Sequence, residues 1–291
     1  MAQDKLAWQS KLVMLAVLPF AGTDVLLACY RWAAESAAVT IWTLALSALL
    51  GLVTWRLRAA TPAAAATGAL VTASLMFSTV AFPYEPWHTG LLPTFTVSLL
   101  AFAATRVGHG KKERLGTAEA RRGRSASQVA ANLGIAAMVS SGPVQFWLID
   151  SRRLAPAAHT PKLFFALALA ALAEAAADTV SSEIGQVFGG RPRMITTLRA
   201  VEPGKDGAVS LAGTLAGVAA AAIVAGAGSW AMRGGWGLFS ISCAGGVFGL
   251  FFDSLLGATL EECGWLNNDT VNFLSTASGS GFALAVLAVL R

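Results

Sequence analysis

Long apolar runs alternate with short polar stretches along the whole chain. Nine runs approach the roughly 20 apolar residues that an α-helix needs to cross a bilayer. They cover about residues 12–30, 37–56, 63–82, 88–106, 128–148, 163–182, 209–230, 237–258 and 273–290. The third, rich in Ala and Thr, is the weakest. In hydrocarbon a helix satisfies its own backbone hydrogen bonds. The pattern therefore predicts an all-α, polytopic membrane protein of about nine transmembrane helices. We expect one integral-membrane domain over 1–291. Residues 1–106 form its N-terminal helices, and 107–291 carry the chemistry, with polar loops at 107–127, 183–208 and 260–272.

Composition agrees. The chain is 55% hydrophobic and only 13% charged, about half the ~25% of a soluble domain. The charges set an orientation. With the N-terminus in the cytoplasm, 15 of the 21 Lys and Arg residues fall on the cytoplasmic side and six on the other. That is the bias of a protein in a bacterial inner (cytoplasmic) membrane. The net charge of +5 thus belongs to membrane-flanking loops and does not point to nucleic acid. Trp87, Trp147, Trp230, Trp236 and Trp265 fall near the ends of runs, as interfacial anchors do.

Several chemistries are disfavoured. Cys29, Cys243 and Cys263 are scattered, with neither a disulfide framework nor zinc spacing. Leu26 to Cys29 superficially resembles a lipoprotein cleavage site, but Asp24 interrupts the preceding run and favours an uncleaved first helix. His88, His109 and His159 neighbour no plausible nucleophile, and no GxSxG elbow occurs.

What remains is a set of acids, bases and amides around 174–217. Glu174 and Asp178 lie one turn apart in an apolar helix, and Asp253 lies in another. Acids in spans are expensive and usually functional. Two carboxyls converging from separate helices make a hard oxygen site for magnesium, with Glu183 and Asp269 as further candidate ligands. The other reading is that Asp178 and Asp253 pair with buried polar groups for packing.

Gly189 to Arg193 is a tight basic turn. Thr196, Thr197 and Arg199 offer hydroxyls and a forked guanidinium to phosphate oxygens. Pro203 to Gly207, with Lys205, leads into the next helix. The spacing is not that of a phosphate-binding P-loop. Arg124, Ser127, Gln128 and Asn132 form a polar stripe entering the membrane, suited to a lipid phosphate or to plain anchoring. Ser127 is a candidate helix cap. Asn268 and Asn272 share a face that suits a nucleotide, and Asp269 is placed to cap the last helix.

Six segments at these residues resemble, in order, the signature blocks of one family. They are Arg124–Val129, Ala177–Gly185, Pro192–Arg199, Val209–Gly217, Phe252–Thr259 and Asn268–Leu274. The family is the integral-membrane phytyl-phosphate kinases of the tocopherol pathway. Two segments depart from it. The family's Pro-Gly-Thr-Asn-Gly-Gly is here Pro203-Gly204-Lys205-Asp206-Gly207-Ala208, and its Ala-Asn-Gly is Ala131-Asn132-Leu133-Gly134.

The resemblance implies a nucleotide-dependent kinase. It would convert an isoprenyl monophosphate (phytyl, geranylgeranyl or farnesyl) to the diphosphate at the cytoplasmic face, with magnesium and CTP as the favoured donor. Asp178, Glu183, Asp253 and Asp269 would hold the metal, and Arg193, Arg199 and Lys205 would neutralise donor phosphates. Thr196, Thr197, Asn268 and Asn272 would meet the nucleotide. Arg124, Ser127, Gln128 and Asn132 would meet the lipid phosphate. Two alternatives are a CTP-dependent cytidylyltransferase making a CDP-linked lipid and a proton-coupled transporter. Clustering of polar groups at one membrane face disfavours the transporter.

Overall fold

The computed structural model describes residues 6–116, 123–150 and 161–289. Six basic residues of the orientation count, Lys5, Arg121, Arg122, Arg152, Arg153 and Arg291, lie outside them. So do residues 117–122 of the expected loop 107–127.

Eight of the nine apolar runs each give one helix, and the fifth gives two. In chain order the helices are α1 (Ala7–Glu35), α2 (Ala37–Arg56), α3 (Pro62–Ser78), α4 (Leu91–Arg106), α5 (His109–Leu115), α6 (Ala126–Ser140), α7 (Gly142–Asp150), α8 (Pro161–Phe188), α9 (Leu211–Ala231), α10 (Gly235–Leu256) and α11 (Asn268–Val289). Among the described residues α1, α2, α8, α9, α10 and α11 are long and apolar enough to cross a membrane. The other three runs give shorter apolar helices: α3 of 17 residues, α4 of 16 and α6 of 15.

The fifth run breaks in two. Ser141 takes an extended backbone after α6, and Pro143 then stands in the first turn of α7, where a missing N–H is harmless. Asp24 of α1 holds the break. One of its oxygens accepts from the backbone N–H of Gly142 at 3.2 Å, and the other from the Ser74 hydroxyl at 2.6 Å. This acid has a structural role.

Helix α8 is the axis of the molecule. Its residues from Phe164 to Ala177 are buried without interruption. A helix apolar on every side belongs in the middle of a bundle, and α8 packs against α4, α6, α9, α10 and α11. Small residues permit the approach. A Cβ on Gly217 of α9 would lie 2.8 Å from the Ala177 carbonyl oxygen, and one on Gly249 of α10 would lie 2.4 Å from Glu174 Cγ. Thus the neighbours of α8 carry glycine where its acids and their flanking turns lie.

The only described strands are Arg193–Met194 (β1) and Ala208–Val209 (β2). They pair antiparallel, Arg193 with Val209 and Met194 with Ala208. The pair closes the long loop between α8 and α9 into a compact flap. Beyond α10 the chain continues as a single π-helical turn, Gly257–Glu261, a feature frequent at functional sites.

Candidate functional site

Polar side chains from α6, α8, α10, α11 and the α8–α9 loop converge on one cavity of about 350 Å³. Asp178 and Ser182 reach it from α8, Asp253 and Ser254 from α10, and Asn268 and Asn272 from α11. Arg124, Gln128 and Asn132 close it from the start of α6. The turn Pro203–Gly207 forms its rim. Residues far apart in sequence therefore share one small volume.

The two acids meet. Asp178 of α8 and Asp253 of α10 line the same cavity. Asp253 Oδ2 is buried with no hydrogen-bond partner, and so is Glu174 Oε1 one turn below. An unpartnered buried oxygen costs about 1–3 kcal/mol, so such atoms mark a place where something else belongs. Among the described residues no three His, Cys, Asp or Glu side chains form a ready-made metal site. Magnesium keeps several waters and shares ligands with substrate phosphates, so a pair of carboxyls suits it.

The remaining candidate ligands lie apart. Glu183 lines the cavity but is ion-paired with Lys112 of α5. Asp269 does not line it; its Oδ2 accepts from the Ser10 hydroxyl of α1 at 2.6 Å.

Arg124 is positioned by its backbone. Its N–H donates to the Ala59 carbonyl and its own carbonyl accepts from Thr61, both at 3.0 Å. The preceding Gly123 has φ 77°, and a Cβ there would sit 2.5 Å from the Ala59 carbonyl carbon. Only glycine fits that strap. The Arg124 side chain then donates to Thr179 Oγ1 at 3.3 Å and is close enough to act on the Asp178 charge.

Helix α6 is capped by Ser125, not Ser127. The Ser125 hydroxyl accepts from the Gln128 N–H at 3.2 Å, and Gln128 Oε1 accepts from the Ser125 N–H at 2.8 Å. This capping box starts the helix at Ala126. It leaves Ser127 inside the first turn, bonded to the Ser125 hydroxyl at 3.0 Å and off the cavity wall. Likewise α11 is capped by Asn267, whose Oδ1 accepts from the Thr270 N–H at 2.9 Å, and Asp269 lies two positions too late to do so.

The basic flap divides in two. Pro192 and Pro203 line the cavity, and the chain between them projects from its rim. Arg193, Thr196, Thr197 and Arg199 are exposed on that projection and do not line the cavity. The Arg193 guanidinium instead donates to the Leu198 carbonyl at 2.8 Å. Lys205 does reach the cavity and pairs with Glu262 at 2.8 Å.

Among the wall residues not foreseen in a binding role are Asp206, Gln186 and Glu261. Asp206 sits at the rim. Partial withdrawal from water and then the Glu262 charge raise its carboxyl above the usual range, and Lys205 opposes them. Gly207, at φ 72°, brings this turn onto the π-helical turn; a Cβ there would lie 2.3 Å from the Ala258 nitrogen. That contact sets Asp206 beside Glu261. The signal in the sequence was the Gly207 and Gly257 pair flanking acids.

The chain matches the family model described as integral membrane protein DUF92 over residues 45–280. An uncharacterized membrane protein of Synechocystis is 31% identical over 217 residues, 69% of this chain and 75% of that protein. One from Methanocaldococcus jannaschii is 38% identical over 122 residues, 42% of this chain. Protein VTE6, chloroplastic, of Arabidopsis thaliana is 29% identical over 198 residues, 67% of this chain. The match spans 51% of the archaeal relative and 57% of the plant one. No solved structure matches the chain.

Proposed function

The chain belongs to the DUF92 family of integral membrane proteins, and on that premise we propose that it is a nucleotide-dependent kinase of an isoprenyl monophosphate. The observation that carries this reading is the single cavity in which Asp178 and Asp253 face Arg124 and Lys205. Phosphoryl transfer requires little beyond positioning and neutralisation of charge, and this set of side chains suits both.

In the reaction, an oxygen of the acceptor monophosphate attacks the γ-phosphorus of the nucleoside triphosphate. A new P–O bond forms, the β–γ bridging bond breaks, and a nucleoside diphosphate leaves. The attacking oxygen is already anionic, so no general base is needed, in keeping with the lack of histidine among the described residues that line the cavity. Arg124 binds the acceptor phosphate as a fork, and Asn132 and Gln128 fix its orientation. Lys205 faces the donor phosphates from the rim. Asn268 and Asn272 are placed to bind the nucleotide. Asp178 and Asp253 would hold magnesium, which when bound neutralises phosphate charge and orients the two substrates. Arg193, Arg199, Thr196 and Thr197 have no part in this version of the site.

The cavity opens at the end of the bundle where the basic loops lie. Their bias supports a cytoplasmic face of a cell membrane, where nucleotides are available. CTP is the donor we favour.

The test is product identity. Purified protein in detergent is incubated with phytyl, geranylgeranyl and farnesyl monophosphates, magnesium, and each labelled nucleoside triphosphate in turn. Isoprenyl diphosphate with a nucleoside diphosphate is the expected pair. Pyrophosphate with a CDP-linked lipid would replace the kinase by a cytidylyltransferase.

A further inference from the structure

A second cavity adjoins the polar one and is larger, about 670 Å³. That volume is within the ~300–1,000 Å³ of pockets that enclose small ligands. Much of its wall is small and apolar, and Arg58, Arg106, His109 and Glu113 add a charged stretch to it. Ala64 and Gly68 of α3, Ala101 and Phe102 of α4, and Leu133 of α6 contribute to it.

The two cavities meet at defined residues. Arg124 and Asn132 line both of them. A guanidinium and an amide thus stand at the junction of an apolar chamber and a polar one. The ligand matching that junction is an amphiphile with a phosphate head and a long hydrocarbon chain.

Resting on the reading of an isoprenyl monophosphate as acceptor, we propose that the apolar cavity between α3, α4 and α6 houses the acceptor's hydrocarbon chain. The phosphate is held at Arg124, and the chain runs away from the donor. Gly68 gauges the space. A Cβ there would meet only Val129 Cγ1, at 3.8 Å, so a larger side chain enters the cavity without displacing backbone.

Two measurements decide it. Farnesyl monophosphate carrying a photoactivatable group at its chain end is irradiated with the full-length protein, and labelled peptides are mapped by mass spectrometry. Labelling of peptides containing residues 60–68 and 97–106, competed by phytyl monophosphate, is expected. Labelling confined to helices other than α3, α4 and α6, or none, overturns the assignment. In the second measurement, Gly68→Leu is expected to shift the ratio of phytyl to geranyl monophosphate competition about tenfold toward the shorter chain, the scale on which an apolar pocket discriminates. An unchanged ratio overturns the assignment. Labelled α3 and α4 with no diphosphate formed from any nucleotide would reject the kinase and leave the chain site standing. Diphosphate formation with labelling elsewhere would do the reverse.

Discussion

Lys112 is ion-paired with Glu183, and only 1% of its side chain is exposed. The same ammonium group accepts nothing and donates to the carbonyls of Ala104 at 3.1 Å and Thr105 at 2.7 Å. These are among the last carbonyls of α4, which lack partners within the helix. The pair therefore fastens α5 to the ends of both α4 and α8. It also occupies a carboxyl that, by sequence alone, was a candidate for the metal.

Removing one side of a buried pair leaves a buried charge unmatched. Lys112→Met is expected to cost about 3 kcal/mol or more of stability, read as a lowered unfolding midpoint in detergent. Glu183→Gln, which keeps a hydrogen-bond acceptor for Lys112, is expected to cost less and to leave the magnesium dependence of turnover unchanged. A changed magnesium dependence in Glu183→Gln would return this residue to the metal site.

Arg124 owes its place to Gly123. Gly123→Ala adds a Cβ that overlaps the Ala59 backbone at a φ that L-residues adopt at a cost of about 1–2 kcal/mol. The expected outcome is a folded protein with a raised KM for the lipid monophosphate and little change for the nucleotide. Separate titrations of the two substrates check this. An equal effect on both would mean that the strap supports the bundle and not the guanidinium.

The flap separates basic residues that sequence placed together. Arg193→Ala and Arg199→Ala alter exposed side chains off the cavity wall. Each is expected to change stability by no more than about 0.5 kcal/mol and to leave turnover close to that of the parent. Lys205→Ala removes a wall residue and is expected to raise the KM for the nucleotide. Initial rates across nucleotide concentration distinguish the three variants.

These contrasts show what a linear reading can and cannot reach. The apolar runs became helical, because length and hydropathy act locally, and only the fifth was split, at Ser141. Asp178 and Asp253 were legible as acids in otherwise apolar helices, and Gln128 and Asn132 as a stripe at helical spacing. Lys112 was not, since in a basic loop nothing local marks the one lysine that folds inward. Arg193 and Arg199 were misleading for a related reason. Their loop turns outward between Pro192 and Pro203, a direction set by the pairing of β1 with β2 and by the seat of Gly207 on Ala258. The caps Ser125 and Asn267 were each missed for a candidate two residues along, within the range over which helix ends are ambiguous. The larger cavity was not legible, because its wall is assembled from α3, α4, α5 and α6 by packing that no single segment announces.

The central claim is that Asp178 and Asp253, brought together from two helices, hold the reacting phosphates. Asp178→Asn and Asp253→Asn each preserve shape and remove the charge. The direct measurement is the single-turnover rate of diphosphate formation at saturating substrates and magnesium, with folding verified by unfolding midpoint. Each variant is predicted to lose about 10²–10³-fold, the scale of removing one preorganised electrostatic contact, with midpoints at or above the parent's. Rates equal to the parent's in both variants would contradict the account.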